Sequence, residues 1–394
     1  MVPNLRFKEF TNKWCESLLG NLVDIKSGNS PSTYELSSEG DYPFVKVEDM
    51  NNCTKYQIDA REYVINSQFC FPAGSIIFPK RGAAIMNNKV RILNQNSCAD
   101  TNMMALIATD IKPEFLYYLI NLIGLYKIAD TSTIPQINNK HILPFKVNIP
   151  SEEEQTKIAD FLSSVDEKIT LLNKKYDLLC QYKKGMMQKI FSQEVRFKDE
   201  NGEGYPEWKY VDLKEIASKV NIKNREGLVN VVLTNSATQG IVRQDSYFER
   251  DIVTESNLEG YYVVSIGDFI YNPRISATAP VGPIKMNELI QGVMSPLYTV
   301  FRFKRGLLKF YQYFFESSVW HDYMKSVANS GARHDRMNIS GADFFGLPVP
   351  QPFEEEQTKI ANFLSALDDK IAVKKAELDK LKTWKQGLLQ QMFV

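Results

Sequence analysis

Two features are missing from this chain, an excess of charge of either sign and a long apolar run. Lys plus Arg number 47, and so do Asp plus Glu. A balanced charge gives no global field that would attract nucleic acid or a membrane surface, so any DNA contact must use local basic clusters. No uninterrupted apolar run approaches the ~20 residues that span a bilayer, and Met1–Arg6 lacks the basic-then-apolar layout of a secretory signal. We therefore expect a cytoplasmic protein without a membrane partner.

Cysteine and histidine are too scarce and too scattered to suggest a metal site. The five cysteines are Cys15, Cys53, Cys70, Cys98 and Cys180. They are odd in number, include no Cys-x-x-Cys pair and lie in the first half of the chain, which predicts reduced, buried thiols rather than zinc ligands. The three histidines, His141, His321 and His334, are dispersed and indicate neither a catalytic triad nor a metal centre.

Motifs for catalysis are also incomplete. Tyr271–Arg274 begins like the Asn-Pro-Pro-aromatic loop of adenine methyltransferases, but Arg274 stands where the second proline must be, and no glycine-rich cofactor loop accompanies it. There is no Gly-x-x-x-x-Gly-Lys-Ser/Thr phosphate loop. Asp199 with Glu207 and Lys209 imitates a nuclease pattern, but that pattern is degenerate and lies in a polar lead-in. The sequence thus predicts no catalytic residue, no metal and no cofactor bound by this chain.

The most informative feature that is present is a long internal repeat. Glu152–Phe191 aligns without a gap to Glu354–Phe393 at an offset of 202, with 20 of 40 positions identical. A fainter repeat precedes each copy: Leu-Arg-Phe-Lys at residues 5–8 leads to Trp14, and Val-Arg-Phe-Lys at residues 195–198 leads to Trp208. Further likeness joins residues 74–82 to 267–275, and 112–127 to 308–324. Such a repeat determines the architecture before any motif is considered.

Four segments follow from the repeat. We expect a first globular domain at residues 1–150, a first helical region at 151–192, a second globular domain at 193–352 and a second helical region at 353–394. Short apolar runs bounded by Gly, Pro and Asn predict strands in both domains, at residues 42–47, 75–78, 103–108, 261–265, 269–271 and 298–303. Residues 112–127 and 308–325 are more helical. The predicted fold class is α+β, with two similar mixed domains separated by a pair of long antiparallel helices and an internal pseudo-twofold repeat.

The two helical regions carry a coiled-coil pattern. Apolar residues recur in alternating steps of four and three, interrupted at Lys183 in the first copy and at Lys374 and Lys385 in the second. Such a seam needs a partner helix, which the second copy supplies in the same chain. Each helix should be roughly 60 Å long, and Ser151 with Glu154 suggests a capping box. The predicted seam comprises Ile158, Leu162, Val165, Ile169, Leu172, Tyr176, Leu179, Ile360, Leu364, Leu367, Ile371, Leu378 and Leu381.

Pro-(x)-acidic-Glu-Glu-Gln-x-x-Ile-Ala-x-Phe-Leu, present twice at the start of a long helix, resembles the conserved regions of type I restriction-modification specificity subunits. The resemblance implies that each variable domain is a target-recognition domain for half of a split double-stranded DNA target, with the helix pair fixing the gap. It also implies two methyltransferase subunits that bind S-adenosylmethionine and methylate adenine, and a separate ATP-driven, magnesium-dependent restriction and translocation subunit. In that family Glu154, Gln155, Phe161 and their repeats Glu356, Gln357 and Phe363 belong to the conserved regions, and we expect them to serve helix starts, packing and docking.

Candidate DNA contacts lie in matching places of the two domains. Arg and Lys can pair with guanine edges or phosphates, and Asn and Gln with adenine. The first-domain candidates are Lys80, Arg81, Asn87, Asn88, Lys89 and Arg91, then Thr133, Gln136, Asn138 and Lys140 before the helix. The second-domain candidates are Arg274, Ser276 and Thr278, then Arg333, His334, Arg336 and Asn338. A different class of function stays open: a non-enzymatic coiled-coil adaptor whose two domains bind protein, which the neutral net charge favours.

Overall fold

A computed structural model describes residues 2–65, 69–247, 258–329 and 335–394. Its helices are α1 (Ala83–Met86), α2 (Pro113–Ile123), α3 (Leu125–Ile128), α4 (Asn139–Ile142), α5 (Glu152–Phe191), α6 (Leu213–Ile216), α7 (Gln244–Tyr247), α8 (Leu308–Glu316), α9 (His321–Val327), α10 (Gly341–Phe345) and α11 (Glu354–Met392), with short 3-10 turns at Leu19–Asn21, Pro31–Thr33 and Asp49–Asn52. None of the helices in the described ranges is both long and apolar enough to cross a membrane.

The strands are short and fall into two groups along the chain. The first group is β1 (Cys15–Leu18), β2 (Val23–Ser27), β3 (Leu36–Ser37), β4 (Tyr42–Val45), β5 (Tyr56–Gln57), β6 (Tyr63–Val64), β7 (Ile76–Pro79), β8 (Arg91–Leu93), β9 (Cys98–Ala99), β10 (Met103–Ala108) and β11 (Lys146–Ile149). The second group is β12 (Lys209–Asp212), β13 (Ala217–Lys219), β14 (Leu233–Ser236), β15 (Gly240–Arg243), β16 (Tyr262–Val264), β17 (Phe269–Tyr271), β18 (Ile284–Met286), β19 (Gly292–Met294), β20 (Thr299–Phe303) and β21 (Pro348–Gln351).

The chain forms two compact units, and the long helices are shared between them. Unit 1 comprises the chain up to Asn173 together with Ala376–Val394, and unit 2 comprises Lys174–Lys375. Each unit therefore holds one globular domain, the first half of one long helix and the last half of the other. This grouping cuts across the four segments expected from the repeat, because a helix that follows one domain continues into the other unit.

Unit 1 is built on a five-stranded sheet in the order β2-β10-β7-β8-β5, with a second, four-stranded sheet β3-β6-β4-β9 and a β1-β11 ladder. Strand β10 pairs with β2 and β7. Its first four side chains point to alternate faces of the sheet and are all buried, so both faces are covered there and the sequence is continuously apolar. Helix α2 packs its buried aromatic face into the same core, with Phe115 and Tyr118 fully enclosed. Gly124, at a φ of +83°, ends this helix, because only glycine adopts that conformation without strain.

The described residues of unit 2 form a four-stranded sheet in the order β13-β20-β17-β18 and three two-stranded ladders, β12-β21, β14-β15 and β16-β19. This order matches β2-β10-β7-β8 of unit 1, and the neighbouring strands are antiparallel in both. Helix α8 buries Phe310, Tyr311 and Phe314 as α2 buries its own aromatics. The internal repeat predicted from the sequence is thus confirmed at the level of strand order.

Within each unit the two helix segments pack antiparallel. In unit 1, Ile158, Leu162 and Val165 near the start of α5 share a core with Leu388 and Met392 near the end of α11. The expected seam residues are buried at Ile158, Leu162, Val165, Ile360, Leu364, Leu367 and Leu378, and half-buried at Ile169, Leu172, Tyr176, Leu179, Ile371 and Leu381. The α+β class with paired long helices is confirmed.

The same packing occurs in unit 2. There Ile360, Leu364 and Leu367 share a core with Met187 and Ile190. The first half of α11 therefore meets the last half of α5, as the repeat requires.

The prediction of reduced, buried thiols is wrong for three of the five cysteines, and the other two are reduced but only half-buried. Cys70 and Cys98 are joined by a disulfide. Phe71 pairs with Ser97 in an antiparallel bridge, which brings Cys70, just before Phe71, next to Cys98, just after Ser97. Cys15 is a free thiol but is exposed, whereas Cys53 and Cys180 are free and half-buried. No local pattern indicates this bond, because its two cysteines are 28 positions apart and come together only through the pairing of the two segments.

Candidate nucleic-acid interface

The repeated Glu of each long-helix start is a buried anchor for the lead-in residues of its domain. The Glu154 carboxylate accepts hydrogen bonds from Arg6 Nε and Nη2, both at 2.7 Å, and from Trp14 Nε1 at 3.3 Å. Ser151 Oγ accepts from the Glu154 backbone N–H at 3.4 Å, so the N-terminal half of the expected capping box is present. The glutamate side chain, however, serves Arg6 and Trp14 instead of the helix cap.

Unit 2 repeats this anchor. Arg196 Nη2 donates to Glu356 at 2.7 Å and Trp208 Nε1 donates at 2.9 Å. The hydrogen bond to Glu356 raises the pKa of Arg196, an effect that burial partly opposes. A buried carboxylate needs hydrogen-bond donors. In both units these donors come from the lead-in residues, so the lead-in repeat and the helix repeat are linked by direct side-chain contacts.

The remaining repeated residues also have packing roles. Gln155 Nε2 donates to the carbonyl of Pro150 at 3.1 Å, and Gln357 Nε2 donates to that of Pro352 at 3.0 Å, which ties each helix start to its preceding strand. Phe161 packs edge-on against Phe7 and Trp384, and Phe363 packs against Phe197.

Two candidate DNA-contact clusters of the first domain, distant in sequence, meet in the structure. Gly82 N–H donates to Pro135 O and Ile137 N–H donates to Lys80 O, both at 2.9 Å, so that Arg81 and Gln136 form an antiparallel bridge. We call residues 80–82 with 135–137 loop pair 1. Arg81 is exposed and Gln136 half-buried.

The second domain has the same construction. Ile275 N–H donates to Asp335 O at 3.0 Å and Met337 N–H donates to Pro273 O at 2.8 Å, so that Arg274 and Arg336 form the corresponding bridge. We call residues 273–275 with 335–337 loop pair 2. Each loop pair follows the equivalent strand, β7 in unit 1 and β17 in unit 2, and each presents an arginine at the middle of its first segment.

The charges around the two loop pairs differ. In unit 1, Lys80 Nζ donates to Ser27 Oγ at 3.1 Å, and its pKa is lowered by burial and then by the neighbouring Arg81. In unit 2, Asp335 lies 3.8 Å from both Arg274 Nη2 and Arg336 Nε. Arg274 and Asp335 are exposed and Arg336 is half-buried. Ion pairs at that distance with access to solvent contribute little to stability, so both guanidinium groups keep donors for another acceptor.

Some candidates chosen from the sequence are instead occupied by the fold. Arg91 donates to three backbone carbonyls, those of Cys53 at 3.0 Å, Val90 at 2.8 Å and Met50 at 2.8 Å. Asn88, at a φ of +47°, links the end of α2 to α3 by donating to Asn121 O and accepting from Leu125 N–H. These two side chains hold the loop rather than point out of it, and we leave them out of the candidate interface.

The other candidates lie at or near the surface. Lys89 is half-buried and Lys89 Nζ donates to Asn51 Oδ1 at 2.6 Å, and Ser276 Oγ is 3.2 Å from Thr278 Oγ1. Asn87, Thr133, Lys140 and Asn338 are exposed. Asn138 is exposed at the start of α4. Arg333 and His334 lie outside the described residues.

The enzyme-like motifs are used structurally. Asn272 Nδ2 donates to Asn235 O at 3.1 Å, and Asn272 Oδ1 accepts from the Arg274 N–H at 3.0 Å. Asp199 accepts from the backbone N–H groups of Asn201 and Glu203, which closes a turn. In the described part of the chain, no three His, Cys, Asp or Glu side chains form a group that could hold a metal ion.

Sequence reasoning missed several residues of the site. Ser27 and Asn102 come from β2 and the turn before β10, and they bond to the side chain and the backbone N–H of Lys80. Asp335 contacts both arginines of loop pair 2. A single uncharged serine or asparagine far along the chain carries no local pattern, so only the strand pairing reveals these neighbours.

Unit 1 also has a groove of about 910 Å³ beside the long helices. One wall comes from the β5 region with Tyr56 and Ile58, a second from α5 with Ile169 and Leu171, and a third from α11 with Leu389. Leu171 is 68% exposed and Ile58 52% exposed. An apolar groove of this kind is typical of a binding surface for a partner rather than of a solvated face.

Comparisons with known proteins agree with this architecture. The family model described as type I restriction modification DNA specificity domain matches residues 11–181 and 205–383. The chain is 24% identical over 408 residues to the type I restriction enzyme MjaVIII specificity subunit of Methanocaldococcus jannaschii, covering 95% of this chain and 91% of that protein. It is 28% identical over 299 residues to the putative type I restriction enzyme MjaX specificity subunit of the same organism, covering 71% of this chain and 67% of that protein.

Solved structures show the same fold. The crystal structure of the type I restriction-modification S subunit from M. genitalium superposes with a TM-score of 0.55 at 16% identity, covering 100% of this chain and 99% of that one. A second structure, described as the structural basis underlying complex assembly and conformational transition of the type I R-M system, superposes with a TM-score of 0.59 at 14% sequence identity. The match covers 97% of this chain and 98% of that one. The chain belongs to the family of type I restriction-modification DNA specificity subunits, and it carries two copies of the specificity domain.

Proposed function

We propose that this chain reads a bipartite double-stranded DNA target, one half with loop pair 1 and the other with loop pair 2. The observation that carries the proposal is the duplicated bridge of Arg81 with Gln136 and Arg274 with Arg336, which follows equivalent strands in the two units. Exposed arginines on a rigid backbone pair can donate to guanine O6 and N7 or to phosphates, and glutamine can bond adenine. Local basic residues are enough to contact DNA, so the neutral net charge of the chain is compatible with DNA binding.

The two loop pairs differ in chemistry, which suits two unlike half-sites. Loop pair 1 combines Arg81 with an amide, Gln136, whereas loop pair 2 combines two arginines with Asp335. Aspartate can accept from the exocyclic amine of cytosine. Residues Asn87, Thr133, Asn138, Lys140, Ser276, Thr278 and Asn338 would supply phosphate or flanking contacts.

The long helices would dock the partner subunits. Exposed apolar side chains on α5 and α11 are Leu171, Leu178, Tyr182, Val373 and Trp384. An apolar surface with a polar rim matches the anatomy of a protein interface. We propose that methyltransferase subunits, two per chain because the helix motif is doubled, bind here, and that restriction and translocation subunits join the complex through them.

The chain would contribute recognition and no chemistry. Adenine methylation would use S-adenosylmethionine held by the methyltransferase subunits, and restriction would use ATP and magnesium held by the motor subunit. The assembled complex would then be a site-specific adenine methyltransferase and ATP-dependent endonuclease in the cytoplasm, with the present chain deciding where it acts.

The salt dependence of DNA affinity tests the proposal. The chain is co-expressed with a methyltransferase subunit from the adjacent open reading frame, methylated adenines are mapped genome-wide, and affinity for a duplex carrying the mapped site is measured from 50 to 200 mM salt. Phosphate contacts require a steep, log-linear loss of affinity. A protein-interaction adaptor, which the groove of unit 1 would also suit, predicts no bipartite methylation motif and no salt-dependent DNA binding, and that result would reject DNA recognition.

A further inference from the structure

Two lysines interrupt the apolar seam of the long helices at equivalent places. Lys183 in α5 and Lys385 in α11 stand where the four-three pattern calls for an apolar residue, and they are related by the repeat offset of 202. Both side chains are largely buried, 15% and 22% exposed. A buried lysine carries a desolvation cost unless it is paired, so each should have a specific partner.

In unit 1 that partner is an aspartate of the opposite helix. Lys385 Nζ lies 2.5 Å from Asp166 Oδ1. Tyr118, from the globular domain, donates its hydroxyl hydrogen to Asp166 Oδ2 at 2.7 Å, and Lys385 Nζ lies 5.5 Å from the centre of its ring. The three side chains thus join α5, α11 and the domain at one point.

Unit 2 contains the same triad. Lys183 Nζ lies 2.7 Å from Asp368 Oδ1 and 4.9 Å from the ring centre of Tyr313, whose hydroxyl donates to Asp368 Oδ2 at 2.7 Å. Lys183 also has a second acid, Glu316, at 3.2 Å. The duplication indicates that the arrangement is a property of the repeat and not an accident of one surface.

An apolar heptad seam does not by itself select one register. A shift of one helix by seven residues places apolar positions opposite apolar positions again. The charged positions respond differently. Seven places along α11 from Lys385, Asp166 would face Leu378 or Met392, and both are buried apolar residues of the native seam.

The second triad penalises the same shifts. Seven places along α11 from Asp368, Lys183 would face Ala361, which is buried, or Lys375. Either shift therefore separates Lys385 from Asp166 and Lys183 from Asp368, leaving Lys183 only its pair with Glu316. One of the two shifts also places Lys183 opposite Lys375. The native register is the one in which both lysines meet both aspartates.

We propose that Asp166, Lys385 and Tyr118 in unit 1, and Asp368, Lys183 and Tyr313 in unit 2, are positioning residues that select the register of the antiparallel long helices. The consequence for DNA, a fixed spacing between the two half-sites, rests on the proposed function. The register itself is a property of the free chain and is tested without DNA.

Other contacts also hold the helix ends. Phe393, after α11, stacks on Phe115 with ring centres 5.0 Å apart, and Leu5 N–H donates to Gln391 O at 2.9 Å. The experiment must therefore separate the triads from the domain contacts, which it does by removing the charges and leaving Phe115, Phe393 and Leu5 in place.

The test is a distance measurement in unit 1 by pulsed electron spin resonance. Nitroxides are attached to ketone-bearing amino acids at the exposed positions Asn173 and Gln390 of the full chain, which leaves the native cysteines unlabelled. An all-leucine seam variant carries Asp166→Leu, Lys183→Leu, Asp368→Leu and Lys385→Leu. A matched control places four leucines at exposed neighbours, Glu167→Leu, Lys184→Leu, Asp369→Leu and Lys380→Leu.

We expect one distance in the unsubstituted chain and in the control. The all-leucine variant should show an added population displaced by up to about 10 Å, the rise of seven helical residues. A single unchanged distance in that variant would overturn the proposal and assign the register to the domain contacts alone. If the variant fails to fold by circular dichroism, the milder pair Lys183→Gln with Lys385→Gln is measured, with the same two outcomes.

A failure of DNA binding in the unsubstituted chain would reject the proposed function and leave these distances untouched. Conversely, if DNA is bound and the all-leucine distance does not change, only the register assignment fails. The two proposals are therefore decided by separate measurements.

Discussion

The indole nitrogen of Trp208 donates a hydrogen bond of 2.9 Å to the buried carboxylate of Glu356, at the first turn of the second long helix. Arg196 donates to the same carboxylate. Replacing Glu356 with Ala leaves both donors without their acceptor, and we expect a loss of about 2–4 kcal/mol in the free energy of unfolding. Urea denaturation of the full chain measures it. The exposed neighbour Glu355→Ala is the control and should stay within about 0.5 kcal/mol; equal losses would contradict an anchoring role for Glu356.

Arg91 and Arg81 of the first domain should affect different properties, Arg91 the stability of the chain and Arg81 its DNA binding. Arg91 donates to three backbone carbonyls, so Arg91→Ala should lower the free energy of unfolding by about 1–3 kcal/mol. Arg81 is exposed in loop pair 1, and Arg81→Ala should change stability by less than about 0.5 kcal/mol. Denaturation curves and DNA titrations of both variants provide the comparison. A weakened DNA complex with unchanged stability in Arg91→Ala would show that its structural role has been overstated.

The two exposed arginines should each affect one half of the target. Arg81→Ala should weaken discrimination at one half-site and Arg274→Ala at the other, by about 1–3 kcal/mol for a lost base contact. A lost phosphate contact would instead reduce the salt slope by about one. The measurement is binding of each variant complex to duplexes with mismatches in one half or the other. Equal loss at both halves in either variant would count against two separate readers.

Two leucines on α5 should also affect different properties. Leu162, inside the seam, should affect stability, and Leu171, outside it, should affect association with a partner. Leu162 is fully buried in the core of unit 1, and Leu162→Ala should cost about 2–5 kcal/mol in the free energy of unfolding because it leaves a cavity. Leu171 lines the exposed groove, so Leu171→Ala should leave stability nearly unchanged and weaken association with the methyltransferase. Thermal unfolding and pull-down of the co-expressed partner measure the two effects. A stable Leu162→Ala chain would mean that the seam does not hold unit 1 together.

Acid should destabilise unit 2 through His321. Burial, and then the nearby Lys325, lower the pKa of His321, whose ring packs edge-on against Trp320. The folded state thus binds a proton less readily than the unfolded chain. Its stability contribution is full above the unfolded pKa near 6.5 and is lost as the pH falls below that value. Between pH 7.5 and pH 5, the free energy of unfolding measured with urea should fall less in His321→Gln than in the unsubstituted chain. The same fall in both proteins would exclude His321 as a cause of the acid sensitivity.

The elements with strong local patterns could be predicted from the sequence. Residues 103–108 are predicted as a strand from their continuous apolar run and form β10, whose first four side chains point to alternate faces of the sheet and are all buried. Residues 112–127 were expected to be helical, but Gly124 divides them into α2 and α3. The long helices follow from the heptad, and their bounds differ from the expected ones by a few residues at most.

The candidate interface was harder to predict, because it depends on residues that are far apart in the chain. Arg81 and Gln136 were both chosen as candidates from the sequence, but nothing local indicates that they bridge. Arg91 belonged to the same basic cluster, yet the strand pairing turns it towards backbone carbonyls. The disulfide of Cys70 with Cys98 has the same origin, since it depends on two segments brought together by the sheet. Residue type suggested the chemistry, and only tertiary structure decided which side chains can exercise it.

The membership of residues 376–394 in unit 1 has a consequence for synthesis on the ribosome. Leu388, Met392 and Phe393 complete the core that Trp14 and Phe115 begin. The first domain to emerge is therefore left with an uncovered aromatic face until residues 376–394 have been made, and these follow every residue of the second unit in the chain. A chain cut after Lys375 should therefore have a native second unit and a first unit that is a target for chaperones and proteases.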